Sequence, residues 1–191
     1  MSVQRDEREG PAAPSSLRAA VYSKGQSLRD GRAFVIRALR PDDRDALLAA
    51  IGRTSPQSLY RRFFAPKRYF SEEETTYFLN IDFVDHVALV AEVEENGAPG
   101  IIAGGRYVMV TPGRAELAFA VIDEYQGQSI GAALLTSLLE IARGAGVLEL
   151  VADVLPHNVA MIRLFEKSGL RLARRSTPDA LHFTLETGPA A

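Results

Sequence analysis

The chain has 191 residues, 47% of them hydrophobic and 24% charged, which is enough apolar material for the core of one domain. Its 22 basic and 24 acidic residues leave a net charge of −2, so there is no electrostatic case for binding nucleic acid or a membrane surface. Without cysteine it forms no disulfide, thiolate metal site or cysteine nucleophile, and no apolar run approaches the roughly 20 residues that a membrane span needs.

The N-terminus MSVQRDEREG is charged and lacks an apolar centre, so it does not read as a secretory signal, and the cytoplasm is the expected compartment. Residues 1–30 are short of apolar bulk and rich in turn formers around Gly10–Ser16, and are expected to be a disordered tail dotted with Arg18, Lys24 and Arg29. Residues 31–187 are expected to be a single domain.

Ala33–Leu39 reads as a strand ended by Arg40-Pro41. Asp42 or Asp43 can cap a helix through Leu47, Leu48 and Ile51, stopped by Gly52. Ser55-Pro56 repeats the start signal before Gln57–Phe64, and Ser71–Glu74 is a capping box opening a helix to about Leu79. In the basic and aromatic stretch Tyr60–Phe70, the expectation is that Tyr60, Phe63 and Phe64 pack inward while the cations face solvent or an acidic ligand.

Val87–Val93 is strand-like, Asn96-Gly97 is a hairpin signal, and Ile101–Val110 is its partner. A turn at Thr111–Arg114 leads to a third strand, Ala115–Val121, completing an antiparallel meander. Ile130, Leu134, Leu138 and Ile141 then recur at helical spacing until Gly144 and Gly146. Val147–Leu155 is a strand expected to put Leu148, Leu150, Ala152 and Val154 on one face. Val159–Lys167 is a helix, and Leu170–Arg175 with Ala180–Leu185 is a closing hairpin. The order predicts an α+β fold, with helices packed on a mixed sheet.

Two features could carry chemistry. Glu116 is a lone carboxylate in an apolar strand, and by parity it shares a face with Ala118 and Ala120. That face meets either water or a cleft. The loop Tyr125–Gly131 joins this strand to a helix. Its small residues admit close approach, and the N–H groups of Gln128 through Gly131 would converge as an anion nest; a purely structural turn is the competing reading. Asn158 reads first as an N-cap, and Phe165 and Tyr125 as packing residues. The histidines, His86, His157 and His182, have no metal-ligand spacing, so no metal is expected.

Together, the Glu116 strand, Gln126-Gly127-Gln128-Ser129-Ile130-Gly131, Asn158 and Phe165–Leu170 resemble the GNAT superfamily of acetyl-CoA-dependent N-acetyltransferases, over roughly Phe34 to Thr184. The family's fold would be a mixed, mostly antiparallel central sheet with helices on both faces. Its loop pattern is Arg/Gln-x-x-Gly-x-Gly/Ala; Gln126 and Gly131 fit it, Ser129 stands where glycine is usual, and Gln128 where many members carry arginine. Thr54–Phe64, Ile81–Ala91 and Ala115–Ala118 look more particularly like the GNAT domain of bacterial Pat-type protein lysine acetyltransferases. In that subfamily the domain often adjoins a regulatory or acyl-CoA-synthetase-like module, and here it is expected to stand alone.

The resemblance implies transfer of an acetyl group from acetyl-CoA to a primary amine, foremost a protein lysine, with acyl-CoA synthetase-like proteins among the acceptors. A small-molecule amine acceptor, or an acyl-CoA-binding sensor of weak activity, are the alternatives. Glu116 matches the general base. The backbone of Val121 and Ile122 would bond the pantetheine arm, and Gln126, Gly127, Gln128, Ser129, Ile130, Gly131 and Ala132 would hold the pyrophosphate. Asn158 would touch the cofactor arm. Phe165 replaces the tyrosine that many members use as general acid. A homodimer through the closing hairpin is compatible with this picture.

Overall fold

The computed structural model describes residues 15–188. Within them one eight-stranded sheet runs β1 (Ser23–Ser27), β2 (Ala33–Ala38), β3 (His86–Glu95), β4 (Ala98–Thr111), β5 (Arg114–Val121), β6 (Glu149–Val154), β8 (Leu181–Glu186) and β7 (Arg171–Ser176), in that spatial order. Every neighbouring pair is antiparallel except β5–β6, which is parallel. The parallel pair needs a crossover. Helix α5 (Ile130–Gly144) supplies it.

The local signals act as their chemistry requires. Ser55 accepts from Ser58 N–H at the start of α3 (Pro56–Phe63), and Ser71 and Glu74 close the capping box of α4 (Glu72–Leu79). Asn96 and Gly97 both take positive φ, +53° and +80°, the turn that matches the twist of a tight hairpin. Helix α2 (Arg44–Gly52) starts after a 3-10 turn at Pro41–Asp43. Asp43 is buried there, receiving two 2.7 Å hydrogen bonds from Arg37 and one from the Arg40 N–H.

Helices cover both faces. Cross-strand register puts Ala103, Gly105, Tyr107, Leu117 and Phe119 on one face, where α5 packs. A Cβ on Gly105 would sit 2.8 Å from Phe119 and 3.1 Å from Leu138 of α5, so this strand and helix meet without room for a side chain. Helix α6 (Val159–Glu166) joins that side through Phe165, buried against Phe183. The opposite face, carrying Arg106, Glu116 and Ala118, lies toward α2 and α3.

The chain start corrects the expected tail. Residues 1–14 lie outside the described residues, but Ser15–Ala20 is a helix (α1) and Ser23–Ser27 pairs with β2 from Ser23↔Arg37 to Ser27↔Ala33. The segment Ser-Lys-Gly-Gln-Ser has no apolar alternation, because backbone bonds to β2 hold it. Tyr22 and Lys24 fasten it further by bonding Glu140 of α5 at 2.8 and 2.6 Å. A second correction concerns Leu148: it precedes β6 and is exposed, while Leu150, Ala152 and Val154 are buried. Among the described residues no helix is long and apolar enough to cross a membrane.

Candidate active site

The site begins where the sheet opens. Strand β5 pairs with β4 from its first residue to its last, but with β6 only over Arg114–Glu116, opposite Glu149–Val151. From Leu117 to Val121 the β6 side of β5 has no strand on it. Ile122 donates its N–H to Ile102 and accepts from Tyr125, so its backbone is committed within the fold. That corrects the expectation that Ile122 is available to a cofactor arm. Backbone direction alternates along a strand, so Phe119 and Val121 are the residues whose polar groups face the gap. The Val121 carbonyl already accepts from Gln126 Nε2 at 3.1 Å, leaving its N–H.

A cleft of about 810 Å³ occupies this opening. Its walls include Glu116, Val121, Gln126, Gly127, Ser129, Ile130, Gly131, Ala132 and Asn158; Gln128 and Ile122 do not line it. The structure thus gathers nine of the residues singled out by sequence around one space. Asn158 also caps α6, accepting from Met161 N–H at 3.3 Å, so its capping role is realised. Phe165 borders the cleft as a packed ring, with no proton to give. Tyr125 is structural: its hydroxyl donates to Glu95 at 2.7 Å and accepts from Arg32.

The loop owes its shape to two left-handed residues, Gly127 at φ +76° and Ser129 at φ +69°. Glycine adopts this conformation freely, and an L-residue with a side chain does so at a cost of about 1–2 kcal/mol. That cost explains why the superfamily pattern has glycine at the Ser129 position. Ser129 occupies the N-cap of α5, yet its hydroxyl caps no N–H. It accepts instead from Arg29 Nε at 3.1 Å, while the Arg29 N–H donates to Gln128 Oε1 at 3.2 Å. The first helical bond runs from Ala133 to Ser129. The N–H groups of Ile130, Gly131 and Ala132 therefore have no intrahelical partner and suit an anion. Asp123 anchors the loop from behind, accepting from the Ser55 N–H and hydroxyl and from the Ser58 hydroxyl at 2.7–2.9 Å.

Glu116 stands exposed on the cleft wall, and among the described residues no cation lies within 4.0 Å of it. Above it, α3 is turned differently from expectation. Tyr60 and Phe64 are exposed at 39% and 38%, whereas Leu59, Arg62 and Phe63 face inward. The spacing i, i+3, i+4 from Leu59 is a helical stripe, and it carries an arginine. Phe63 joins Phe70 and Phe78 in an edge-to-face cluster with centroids 5.2–6.0 Å apart. On β4, Arg106 lies over the Phe78 ring at 4.4 Å and meets His86 Nε2 at 3.0 Å. Burial, and after it the Arg106 charge, pushes His86 down to about 4.

Sequence reasoning passed over Arg29, Arg62, Arg106 and Phe119. Arg62 had a signal in its spacing from Leu59. Arg29 had none, since its place depends on an edge strand held by backbone bonds.

With this geometry in hand, comparison with known proteins is specific. A model described as the Acetyltransferase (GNAT) family matches residues 56–170. Acetyltransferase PA5475 of Pseudomonas aeruginosa is 33% identical over 153 residues, 78% of this chain and 82% of the relative. Acetyltransferase Pat of Mycolicibacterium smegmatis is also 33% identical, over 74% of this chain, and the chain spans 42% of that relative's length. Among solved structures, the GNAT domain of S. lividans PAT aligns with a TM-score of 0.78 at 32% identity, covering 86% of this chain and 96% of that one. A cAMP-binding acyltransferase from Mycobacterium smegmatis aligns with a TM-score of 0.61 at 29% identity, covering 93% of this chain and 51% of that one.

Proposed function

The chain belongs to the GNAT family of acetyltransferases, and from that premise we propose that it transfers the acetyl group of acetyl-CoA to a primary amine, foremost a protein lysine side chain, with Glu116 as general base. The observation that carries this reading is the gap between β5 and β6, with Glu116 at its start and the Gly127–Ala132 turn at its far end. The likeness to two Pat proteins supports the lysine acceptor over a small amine.

The residues fit the cofactor. The left-handed backbone at Gly127 and Ser129 and the unbonded N–H groups of Ile130, Gly131 and Ala132 form a cradle for the pyrophosphate. Gln126 shapes that cradle from within by bonding Ser58 and the Val121 carbonyl. Along the open edge, Phe119 and Val121 would bond the pantetheine arm as an added strand does. Asn158 borders the same arm from α6.

Acetyl-CoA supplies an activated thioester. The chain supplies position and a proton acceptor. A lysine amine, with a reference pKa of about 10.4, is mostly protonated at pH 7. Glu116 takes that proton, directly or through one water, and the freed amine attacks the thioester carbonyl. The Val121 N–H faces the gap and would steady the developing oxyanion. Phe165 donates nothing, so the thiolate leaves unassisted, which its low basicity permits. Holding amine and thioester in one cleft contributes much of the acceleration.

The test is incubation with labelled acetyl-CoA and a set of candidate proteins, acyl-CoA synthetases among them, beside a broad screen of small amines. Label on protein lysines is the expected result. Label on small amines alone would move the acceptor to that class.

A further inference from the structure

Two buried-side cations near Glu116 have no counter-ion. Arg62 projects from the inward stripe of α3, its guanidinium 4.8 Å from the Phe63 ring centroid. Arg106 rises from β4 opposite Ala118, over Phe78, with contacts to His86 and the Phe78 carbonyl. Among the described residues no carboxylate lies within 4.0 Å of either guanidinium, although Arg37 and Arg53 each pair with carboxylates. Burial holds the Arg62 pKa down, and burial followed by the Arg62 charge pushes Arg106 down to about 9. Two like charges, desolvated and facing each other, are costly without an anion.

There is space for that anion. A second cavity of about 90 Å³ is lined by Arg62, Arg106, Phe63, Phe78 and Ala118, and Arg62, Phe63 and Ala118 also line the main cleft. It is a side pocket of the acceptor cleft, roomy for a group that needs the space of a few waters at roughly 10–15 Å³ each. Arg106 is level with Ala118, two residues along β5 from Glu116, a separation of about 7 Å.

We propose that the acceptor carries a carboxylate one residue's length from its reactive amine, and that Arg62 and Arg106 hold this carboxylate in the side pocket while Glu116 faces the amine. The inference rests on the acetyl-transfer reading for the identity of the cleft. In the reaction, the amine nitrogen bonds to the acetyl carbon, the carbon–sulfur bond breaks, the amine proton goes to Glu116 and the thiolate departs. The carboxylate is a bystander that sets register. An aspartate or glutamate beside a lysine in a polypeptide, and a free amino acid, present the same chemistry.

Two measurements test it. The first compares kcat/KM for lysine peptides with aspartate or alanine next to the lysine, and for free amino acids beside their amides. The second is calorimetric titration with glutarate, which needs no turnover. Both use the wild type, Arg62→Gln and Arg106→Lys, whose folding is checked by thermal denaturation. The expected result is a preference of about tenfold or more for the carboxylate-bearing partner, the worth of one charge-assisted hydrogen bond, lost in Arg62→Gln together with glutarate binding and partly retained in Arg106→Lys. Preference for peptides over free amino acids, or the reverse, identifies the source of the carboxylate. Equal rates for charged and uncharged partners, or glutarate binding untouched by Arg62→Gln, overturn the inference. Glutarate binding that Arg62→Gln abolishes, with no turnover of any amine, upholds the anion pocket and removes the acetyl-transfer reading instead.

Discussion

Glu116 and Val151 are the last residues paired between β5 and β6, and the strands part immediately beyond them. The carboxylate therefore stands at the mouth of the gap rather than inside a closed sheet. Proton acceptance by a positioned carboxylate contributes roughly 10²–10⁴-fold to rate. Glu116→Gln is accordingly expected to lower kcat by about 10²-fold or more while leaving acetyl-CoA affinity nearly intact, because the cradle is built at the other end of the gap. Turnover and calorimetry on the same preparation check this, and an unchanged kcat at pH 7 removes Glu116 as the base.

The clasp between Arg29 and the loop gives a prediction about the cofactor. Arg29 holds Ser129 and Gln128 from the β1–β2 turn and brings a cation to the α5 N-terminus. Arg29→Ala is expected to weaken acetyl-CoA binding roughly fivefold at low salt, with a smaller effect at high salt because the side chain is exposed. Equal dissociation constants for variant and wild type at low salt would count against the assignment.

Ser129→Gly tests the left-handed turn itself. Removing a Cβ at φ +69° should raise the unfolding free energy by about 1 kcal/mol. It should also tighten acetyl-CoA binding, since the side chain stands at the cradle. Thermal denaturation and calorimetry report the two effects separately, and weaker binding would contradict the second.

Gly105 is required by packing. An added methyl would press on the Phe119 ring at 2.8 Å and on Leu138 at 3.1 Å. Gly105→Ala is expected to cost about 1–3 kcal/mol of stability, read from denaturant midpoints. A neutral result would mean that α5 can shift away from the sheet.

Acid sensitivity follows from two buried groups. His86 is held neutral, its pKa pushed down to about 4 by burial and by Arg106. The unfolded chain takes up that proton near 6.5, so this stabilisation is complete above pH 6.5 and is lost as pH falls toward 4, amounting to about 3 kcal/mol as an upper bound. Burial pushes Asp43 up, but Arg37 and the Arg40 N–H outweigh it and hold the carboxyl below its ordinary range. Its contribution is present above about pH 3.9 and is lost as pH falls through the lower folded value. His86→Gln should flatten the stability profile between pH 6.5 and 4, and Asp43→Asn should flatten it below 4. Parallel profiles for variant and wild type would contradict the assignment.

The hairpin at Asn96-Gly97, the caps at Ser55 and Ser71 and the stripe of α5 were legible in the sequence because each rests on contacts within a few residues. The glycine-bearing loop and Asn158 were legible for the same reason. Family resemblance then gave Glu116 a meaning that parity alone left open. What the sequence could not reveal depends on partners far along the chain. The edge strand β1 has no apolar pattern and exists because β2 offers free backbone groups. The commitment of Ile122 depends on Ile102, and the clasp of Arg29 on a loop a hundred residues away. Arg62 and Arg106 become a pair without a counter-ion only when α3 lies over β4 and β5. Hydrogen bonding and desolvation act through space, and only the tertiary structure decides which distant groups come to share it.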